Sequence, residues 1–303
     1  LRKLDILIKD LNSKSRSWAS IPMLARTHGQ AASPSTLGKE IKVFQQRLSR
    51  QKAMLKNMKP LAKFGGATGN FHTLDLSDSR INWVSKTRKF LNLFKVEQNP
   101  ITTQIEPHDG IAEISQCIQR INNILIDFNQ DIWIYISNDI FRLKMKDGEI
   151  GSSTMPHKVN PIDFENSEGN LGLSNSLMSF FADKLSKSRL QRDLSDSTVL
   201  RNLGVGFGYS YLGLSSCLTG LDKIQPNKDV AHKELSENWQ VLAEAIQIIM
   251  KLEGHDNAYE EIKAKTRGQT IDQDSYLNIV NDLNITNESK AKLRKLTPLN
   301  YLG

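Results

Sequence analysis

Residues 110–135 carry the sequence feature that most constrains the fold, an unbroken helical pattern of apolar side chains. Its apolar positions recur at spacings of three and four: Ile111, Ile114, Ile118, Ile121, Leu125, Phe128, Ile132 and Tyr135. These spacings place the side chains on one face of a helix. At the rise of an α-helix, the run predicts a rod about 40 Å long. Because such a rod exceeds the usual globular helix, we expect an elongated bundle able to associate with copies of itself.

Three further stretches carry the same spacing. Their apolar positions are Leu37, Ile41, Phe44, Leu48 and Leu55 in the first, Leu200, Leu203, Phe207, Tyr211, Leu214, Leu218 and Leu221 in the second, and Trp239, Leu242, Ile246, Ile249 and Leu252 in the third. Ser33 followed by Pro34 predicts an N-cap with proline in the first turn of the first of these helices. The sequence shows no sustained alternation of apolar and polar residues, so we expect few strands and an all-α fold.

The segment Gln225-Pro226-Asn227 interrupts the long helical stretches. After it, the predicted helices are shorter and are separated by polar turns. We therefore expect a long central helical-bundle domain over residues 1–224 and a smaller helical C-terminal domain over residues 225–303.

Composition argues against several classes of protein. No run of roughly 18 or more apolar residues occurs, so no membrane span is expected. The first residues lack the features of a signal peptide, and because they also lack an initiator methionine, we expect a fragment of a longer chain. Cys117 and Cys217 are the two cysteines. They have no metal-ligand spacing, which favours a reducing compartment without disulfides.

The net charge of +7 allows three interpretations. A nucleic-acid partner is disfavoured, because the basic residues are scattered among 33 acidic ones and form no stripe interleaved with aromatics. A small polyanionic substrate needs only a few converging cations. A lysine-rich surface is the third interpretation, and it is the one that charge alone favours.

Irregular segments between the helical stretches hold the first candidate functional residues, because function concentrates on loops. His28, in residues 26–30 (RTHGQ), can transfer a proton near neutral pH, or simply bond within a turn. The glycine-rich residues 63–70 either let a ligand approach the backbone or form a tight turn. They are not a P-loop, because no Gly-Lys-Ser/Thr follows. Gln104 is able to bond a ligand, although nothing in its neighbourhood requires it.

Residues 151–161 (GSSTMPHKVNP) are the most informative of these segments. Their composition suits either a mobile loop that closes over a substrate or an ordinary Ser/Pro loop. A serine in this loop would act as a base only if its oxyanion were stabilised. Downstream lie polar residues with helical spacing, namely Asn166 with Asn170, and Arg192 with Ser197 and Arg201. The two arginines either grip a carboxylate or phosphate or belong to a solvated helix face.

Residues 151–161 resemble the signature loop of the fumarase/aspartase superfamily, GSSxMPxKxNP. Four further segments resemble the bacterial-type adenylosuccinate lyase branch: residues 162–170 (IDFENSEGN), 27–30 (THGQ), 32–34 (ASP) and 191–197 (QRDLSDS). The resemblance covers essentially the whole chain and begins after the N-terminal domain of the family. It implies a long helical bundle of the fumarase/aspartase type with a smaller helical C-terminal domain. It also implies a cytoplasmic homotetramer with active sites shared between subunits.

The resemblance implies a β-elimination that releases fumarate from adenylosuccinate, giving AMP, and from the succinylated aminoimidazole carboxamide ribotide. Ser152 matches the general base, and His28 matches the general acid that protonates the departing nitrogen. Lys158 and Asn160 match loop residues that hold the substrate and stabilise the intermediate. The positions that match nucleotide- and phosphate-binding residues are Gln104, Asn166, Arg192, Ser197 and Arg201. The substrate is thus a small molecule, and no metal or organic cofactor is implied.

Two alternatives remain open at the level of sequence. One is another fumarate-releasing lyase of the superfamily, such as argininosuccinate lyase or a fumarase; His157 within the loop and the Asn166–Asn170 pair favour the purine branch instead. The other is a non-catalytic relative, which the presence of Ser152 and His28 disfavours. The N-terminal domain of the family supplies further phosphate-binding residues and another histidine, and the chain contains none of them.

Overall fold

A computed structural model describes residues 1–144, 159–266 and 271–302, and helices account for most of them. The prediction of an all-α fold is confirmed. The α-helices are α1 (Arg2–Ser17), α2 (Leu37–Asn57), α3 (His72–Ser77), α4 (Trp83–Asn92), α5 (Asp109–Ser137), α6 (Ile162–Leu185), α7 (Ser195–Leu200), α8 (Leu203–Lys223), α9 (Lys228–Ser236), α10 (Ala243–Leu252), α11 (Ala258–Thr266), α12 (Gln273–Asp282) and α13 (Asn287–Arg294). A 3₁₀ helix, Trp239–Leu242, leads into α10.

The strands in the described residues are all short, at two or three residues each. They are β1 (Pro22–Met23), β2 (Arg26–Thr27), β3 (Gln30–Ala31), β4 (Ser35–Thr36), β5 (Leu61–Ala62), β6 (Glu97–Gln98), β7 (Phe141–Leu143) and β8 (Ile224–Pro226). Antiparallel pairs join β1 to β4, β2 to β3 and β7 to β8, and a parallel pair joins β5 to β6. These strand pairs join loop segments near the ends of helices. Among the described residues they do not form a separate sheet layer.

The long helix α5 follows the periodicity of its sequence. Its 29 residues span about 44 Å at the helical rise. The predicted positions Leu125, Phe128 and Ile132 are each at most 1% exposed. Asn122 and Asn129 are buried on the same helix, at 0% and 1% exposure. The amide of Asn122 donates to the hydroxyl of Ser174 at 3.0 Å, so this polar group is satisfied inside the bundle.

The start of α2 differs from its prediction. The helix begins at Leu37 rather than at Pro34, because residues 35–36 pair with β1 as strand β4. The N-cap predicted at Ser33 was therefore wrong. Thr36 takes that role, since its hydroxyl accepts the N–H of Lys39 at 3.2 Å.

Helix α8 buries only part of its apolar stripe within the chain. Leu214 and Leu221 are 7% and 0% exposed, whereas Phe207 and Tyr211 are 38% and 58% exposed. The buried face includes the glycines Gly206, Gly213 and Gly220. They lie opposite large side chains of α6, in the order Phe181, Leu171 and Phe164. Because one series rises in number while the other falls, α6 and α8 run antiparallel.

Contacts within the chain form two compact units. The first unit comprises Leu1–Lys9, Phe44–Ile134 and Met145–Lys223, and the second comprises Asp10–Val43, Tyr135–Lys144 and Ile224–Gly303. A core cluster in the first unit joins α5 to α6 and α7 through Ile118, Met178, Phe181, Leu185 and Val199. The core of the second unit includes Leu242, Ile246, Met250, Tyr276 and Val280. Among the described helices, none is both long and apolar enough to cross a membrane.

Candidate active site

His28 lies at the tip of a tight hairpin in the second unit. Strands β2 and β3 pair Thr27 with Gln30, which leaves His28 and Gly29 as the two loop residues. Their φ angles are 51° and 73°, and positive values at both positions are the geometry of a type I′ turn. Histidine tolerates this region better than most residues, and glycine adopts it freely. His28 is exposed at the tip of this turn.

Side chains of the same unit hold this hairpin in place. The guanidinium of Arg26 donates to the carbonyl oxygen of Gly29 at 3.4 Å and also forms an ion pair with Glu234 on α9. Farther along, the hydroxyl of Ser33 donates to Glu244 on α10. The loop that carries His28 is thus anchored to two helices from the C-terminal part of the chain.

Gln104 lies in the first unit, in a segment clamped by Lys63. The ammonium group of Lys63 donates to the main-chain oxygens of Gln104 at 2.6 Å, of Thr103 at 3.4 Å and of Gly66. Partial burial lowers the pKa of Lys63. At Gly69, with φ 79°, a Cβ would clash with the carbonyl of Thr102. The glycine-rich residues thus form a tight turn that packs its backbone against the segment before Gln104.

Arg192 and Ser197 meet at the start of α7, close to this segment. The guanidinium of Arg192 donates to the hydroxyl of Ser197 at 3.1 Å. The main-chain N–H of Gln104 donates to the oxygen of Gln191 at 3.2 Å, which ties the two segments together. Arg201 is exposed and caps the other end of α7. The structure thus collects Gln104, Arg192, Ser197 and Arg201 at one end of the α6–α8 pair.

Asp193 fixes the loop that holds these residues. Its carboxylate accepts from the hydroxyl and the N–H of Ser195 and from the N–H of Arg189, the last two at 2.8 and 3.1 Å. These hydrogen bonds and the charge of Arg189 lower the pKa of Asp193 to about 2. A carboxylate that stays ionised here orders the turn between α6 and α7.

Asn160 and Asn166 lie at the opposite end of α6. Asn166 is exposed in the first turns of the helix, and its carbonyl accepts from the side chain of Asn170 at 2.8 Å. From Asn166 to Leu185, where α6 ends, the helix rises about 30 Å. One chain therefore does not bring Asn166 together with Arg192. Ser152, His157 and Lys158 lie outside the described residues.

One group near Arg192 was not singled out by the sequence. His108, immediately before α5, lies between the carboxylates of Glu106 and Asp196. Burial raises the pKa of Glu106, but hydrogen bonds from His108 and Asn99 outweigh burial and hold it below its ordinary value. The only local signal was a run of polar residues leading into a helix, which equally suits a loop.

Family models match most of the chain. The model described as "Lyase" matches residues 1–173, and the model described as "Adenylosuccinate lyase C-terminal" matches residues 188–302. The chain belongs to the adenylosuccinate lyase family. Its recognition from the signature loop together with the segments that resemble the adenylosuccinate lyase branch is confirmed.

Curated members of the adenylosuccinate lyase family align with nearly all of this chain. Adenylosuccinate lyase from Legionella pneumophila (strain Corby) is 54% identical over 288 residues, covering 95% of this chain and 63% of the relative. The enzyme from Escherichia coli (strain K12) is 49% identical over 297 residues, covering 98% of this chain and 65% of the relative. The chain thus spans slightly less than two thirds of the length of these relatives.

Solved structures of more distant proteins share the fold. A fumarate lyase from Mesorhizobium sp. BNC1 has a TM-score of 0.78 at 19% identity, covering 100% of this chain and 69% of that one. A class II fumarase from Schistosoma mansoni has a TM-score of 0.73 at 19% identity, covering 98% of this chain and 65% of that one. At this identity the likeness shows the helical fold alone.

Proposed function

We propose that this chain is the larger part of an adenylosuccinate lyase. The enzyme eliminates fumarate from adenylosuccinate, giving AMP, and from the succinylated aminoimidazole carboxamide ribotide. The observation that carries the proposal is the identity of 49% to 54% with curated adenylosuccinate lyases along almost the whole chain. Such a nucleotide substrate fits a small-molecule site with exposed arginines, and a soluble enzyme of this kind belongs in the cytoplasm.

The elimination needs a base, an acid and stabilisation of negative charge. In the proposed mechanism, Ser152 removes the proton from the succinyl carbon next to a carboxylate, and Lys158 and Asn160 stabilise the resulting anion. His28 then donates a proton to the departing nitrogen. The exposed imidazole at the tip of the β2–β3 hairpin suits that task, because a rigid turn aims it at solvent or at a bound substrate.

The remaining residues hold the nucleotide. Arg192 and Arg201 bind anionic groups in a bidentate manner, and Ser197, Gln104 and Asn166 supply hydrogen bonds. Arg192 and Ser197 already contact one another at 3.1 Å, so they form a ready pair of donors. The length of α6 between Asn166 and Arg192 favours sites assembled from more than one copy of the chain.

We therefore extend the proposal to a homotetramer with shared active sites. Apolar side chains stand exposed along the long helices of the first unit, at positions that a partner helix would cover. They include Trp133 and Ile134 on α5, Leu173 and Phe180 on α6, and Phe207, Tyr211 and Leu212 on α8. Within the chain, we propose a domain boundary at residues 224–225, before the short C-terminal helices.

The activity is tested on the protein in its natural full length, with adenylosuccinate, argininosuccinate and fumarate as separate substrates. We expect turnover of adenylosuccinate and of neither other substrate. The change in purine absorbance measures this turnover. Ser152→Ala should abolish turnover while AMP binding, measured by calorimetry, stays within about threefold, because a base acts mainly in the transition state. Turnover of argininosuccinate or hydration of fumarate instead would overturn the proposal. Near-native turnover by Ser152→Ala would move the role of base to Ser153.

A further inference from the structure

His108 occupies a backbone conformation that non-glycine residues seldom adopt. Its φ is 66°, in the left-handed region, directly before the first residue of α5. The side chain is 12% exposed. The left-handed conformation costs free energy for a histidine, so contacts around it must compensate. The surroundings of the ring indicate the role of this conformation.

The ring faces two carboxylates that are themselves nearly buried. Nδ1 lies 3.5 Å from Oε2 of Glu106, and Nε2 lies 3.8 Å from Oδ2 of Asp196. The side chains of these two acids are 10% and 6% exposed. Glu106 is also held by the N–H of His108 at 2.8 Å and by the amide of Asn99 at 3.2 Å. Asp196 faces the imidazole without a hydrogen bond, and Nε2 of His108 is buried with no hydrogen-bond partner among the described residues.

The same contacts reach the proposed anion-binding residues. Asp196 precedes Ser197 in α7, and the Ser197 hydroxyl lies 3.5 Å from Oδ1 of Asp196. That hydroxyl also accepts the guanidinium of Arg192 at 3.1 Å. At the other end of the His108 segment, Gln104 is tied to Gln191 through the main chain. Residues 104–108 therefore contact residues 191–197 at two points.

We propose that His108 is a positioning residue, whose ring faces Asp196 and so favours the binding of an anionic group of the substrate by Ser197 and Arg192. The inference rests on the proposed function. A carboxylate without a partner beside Ser197 would attract the Arg192 guanidinium and repel an incoming phosphate or carboxylate. The His108 ring beside Asp196 reduces both the attraction of Arg192 and the repulsion of the incoming anion. His108 itself need not touch the substrate.

The test uses the full-length protein with His108→Gln, Asp196→Asn and the double variant. His232, an exposed histidine on α9, supplies the matched control His232→Gln. We expect His108→Gln to raise KM for adenylosuccinate and Kd for AMP about tenfold while kcat changes less than about threefold. The double variant should bind more tightly than His108→Gln, because it removes the uncompensated charge together with its partner. The double variant also provides a test of the proposal if His108→Gln folds poorly.

Three results would overturn the inference. The first is a KM for His108→Gln within about twofold of the parent. The second is a double variant whose loss equals the product of the two single losses, since independent sites behave in that way. The third is a parent that binds neither AMP nor inorganic phosphate. If the parent does not cleave adenylosuccinate but binds phosphate, and His108→Gln weakens that binding, the proposed function fails while the positioning role stands.

Discussion

Single side chains in this protein fall into two groups, distinguished by their surroundings. Arg192 and Arg201 are exposed, so their charges add little to stability and are available to a ligand. Tyr276 is 1% exposed, and its hydroxyl donates to the main-chain oxygen of Leu293 at 2.9 Å. The buried Tyr276 side chain fixes α12 against α13, and it is not accessible to a ligand. Substitutions in the two groups should therefore affect different measurements.

Arg201→Lys is expected to raise KM for adenylosuccinate about tenfold, because a point charge does not replace a bidentate guanidinium. The melting temperature should stay that of the parent, since the side chain is exposed. Steady-state kinetics with Arg80→Lys as the control check this, because Arg80 is 89% exposed, pairs with Asp78 and is not among the residues proposed to bind the substrate. Unchanged kcat and KM in both Arg201→Lys and Arg192→Ala would assign the two arginines to a solvated surface.

Tyr276→Phe is expected to destabilise the fold by about 1 kcal/mol at pH 8, through loss of the hydrogen bond to Leu293. Burial raises the pKa of Tyr276 from 10.0 to about 12. The folded state thus holds the phenolic proton more tightly, so this contribution is complete below pH 10 and is lost as pH rises towards about 12. Urea unfolding at pH 8 and pH 11 should show a smaller alkaline loss in the variant. An equal alkaline loss in parent and variant would contradict the assignment.

At the scale of elements, the α6–α8 pair depends on glycine. A Cβ at Gly213 would lie 2.6 Å from Cγ of Leu171, and one at Gly220 would lie 2.7 Å from Cζ of Phe164. Leu171 is 0% exposed and Phe164 1%, so neither can move aside into solvent. The glycines let the two helices approach closely, at the cost of weaker intrinsic helix propensity.

Gly213→Ala is expected to lower stability by about 1–3 kcal/mol, because overpacking outweighs the gain in helix propensity. Gly208→Ala, on the same helix, is the control: a Cβ there meets nothing within 4 Å, so this variant should be as stable as the parent or more stable. Both are compared by thermal unfolding. Equal melting temperatures for the two variants would show that α6 and α8 do not pack as closely as described.

At the scale of the whole molecule, the length of α6 separates two groups of the proposed site residues. Asn166 and Arg192 are separated by most of the length of α6. His28 belongs to the second unit, whereas Arg192 belongs to the first. Shared sites in a homotetramer would resolve the separation along α6 and would also cover the exposed apolar side chains of the long helices.

Mixing full-length His28→Ala and Ser152→Ala should therefore restore activity, although each is inactive alone. If the two residues of one site come from different subunits, random assortment in equal amounts gives about a quarter of sites with both residues intact. Activity after mild dissociation and reassociation is the measurement, and subunit exchange is verified separately with labelled chains. Exchange without any regained activity would show that both residues act within one chain.

The sequence alone determined the helices, the family and the list of candidate residues, because apolar periodicity and a long signature loop are local patterns. Only the tertiary structure decided which face of α8 is covered, since close packing against Phe164 and Leu171 selects glycines that no hydrophobic pattern marks. It also decided that His108 faces Asp196, and that α2 begins after a strand rather than at Pro34. Contacts between distant segments depend on how rigid helices pack, and local spacing carries no record of that packing.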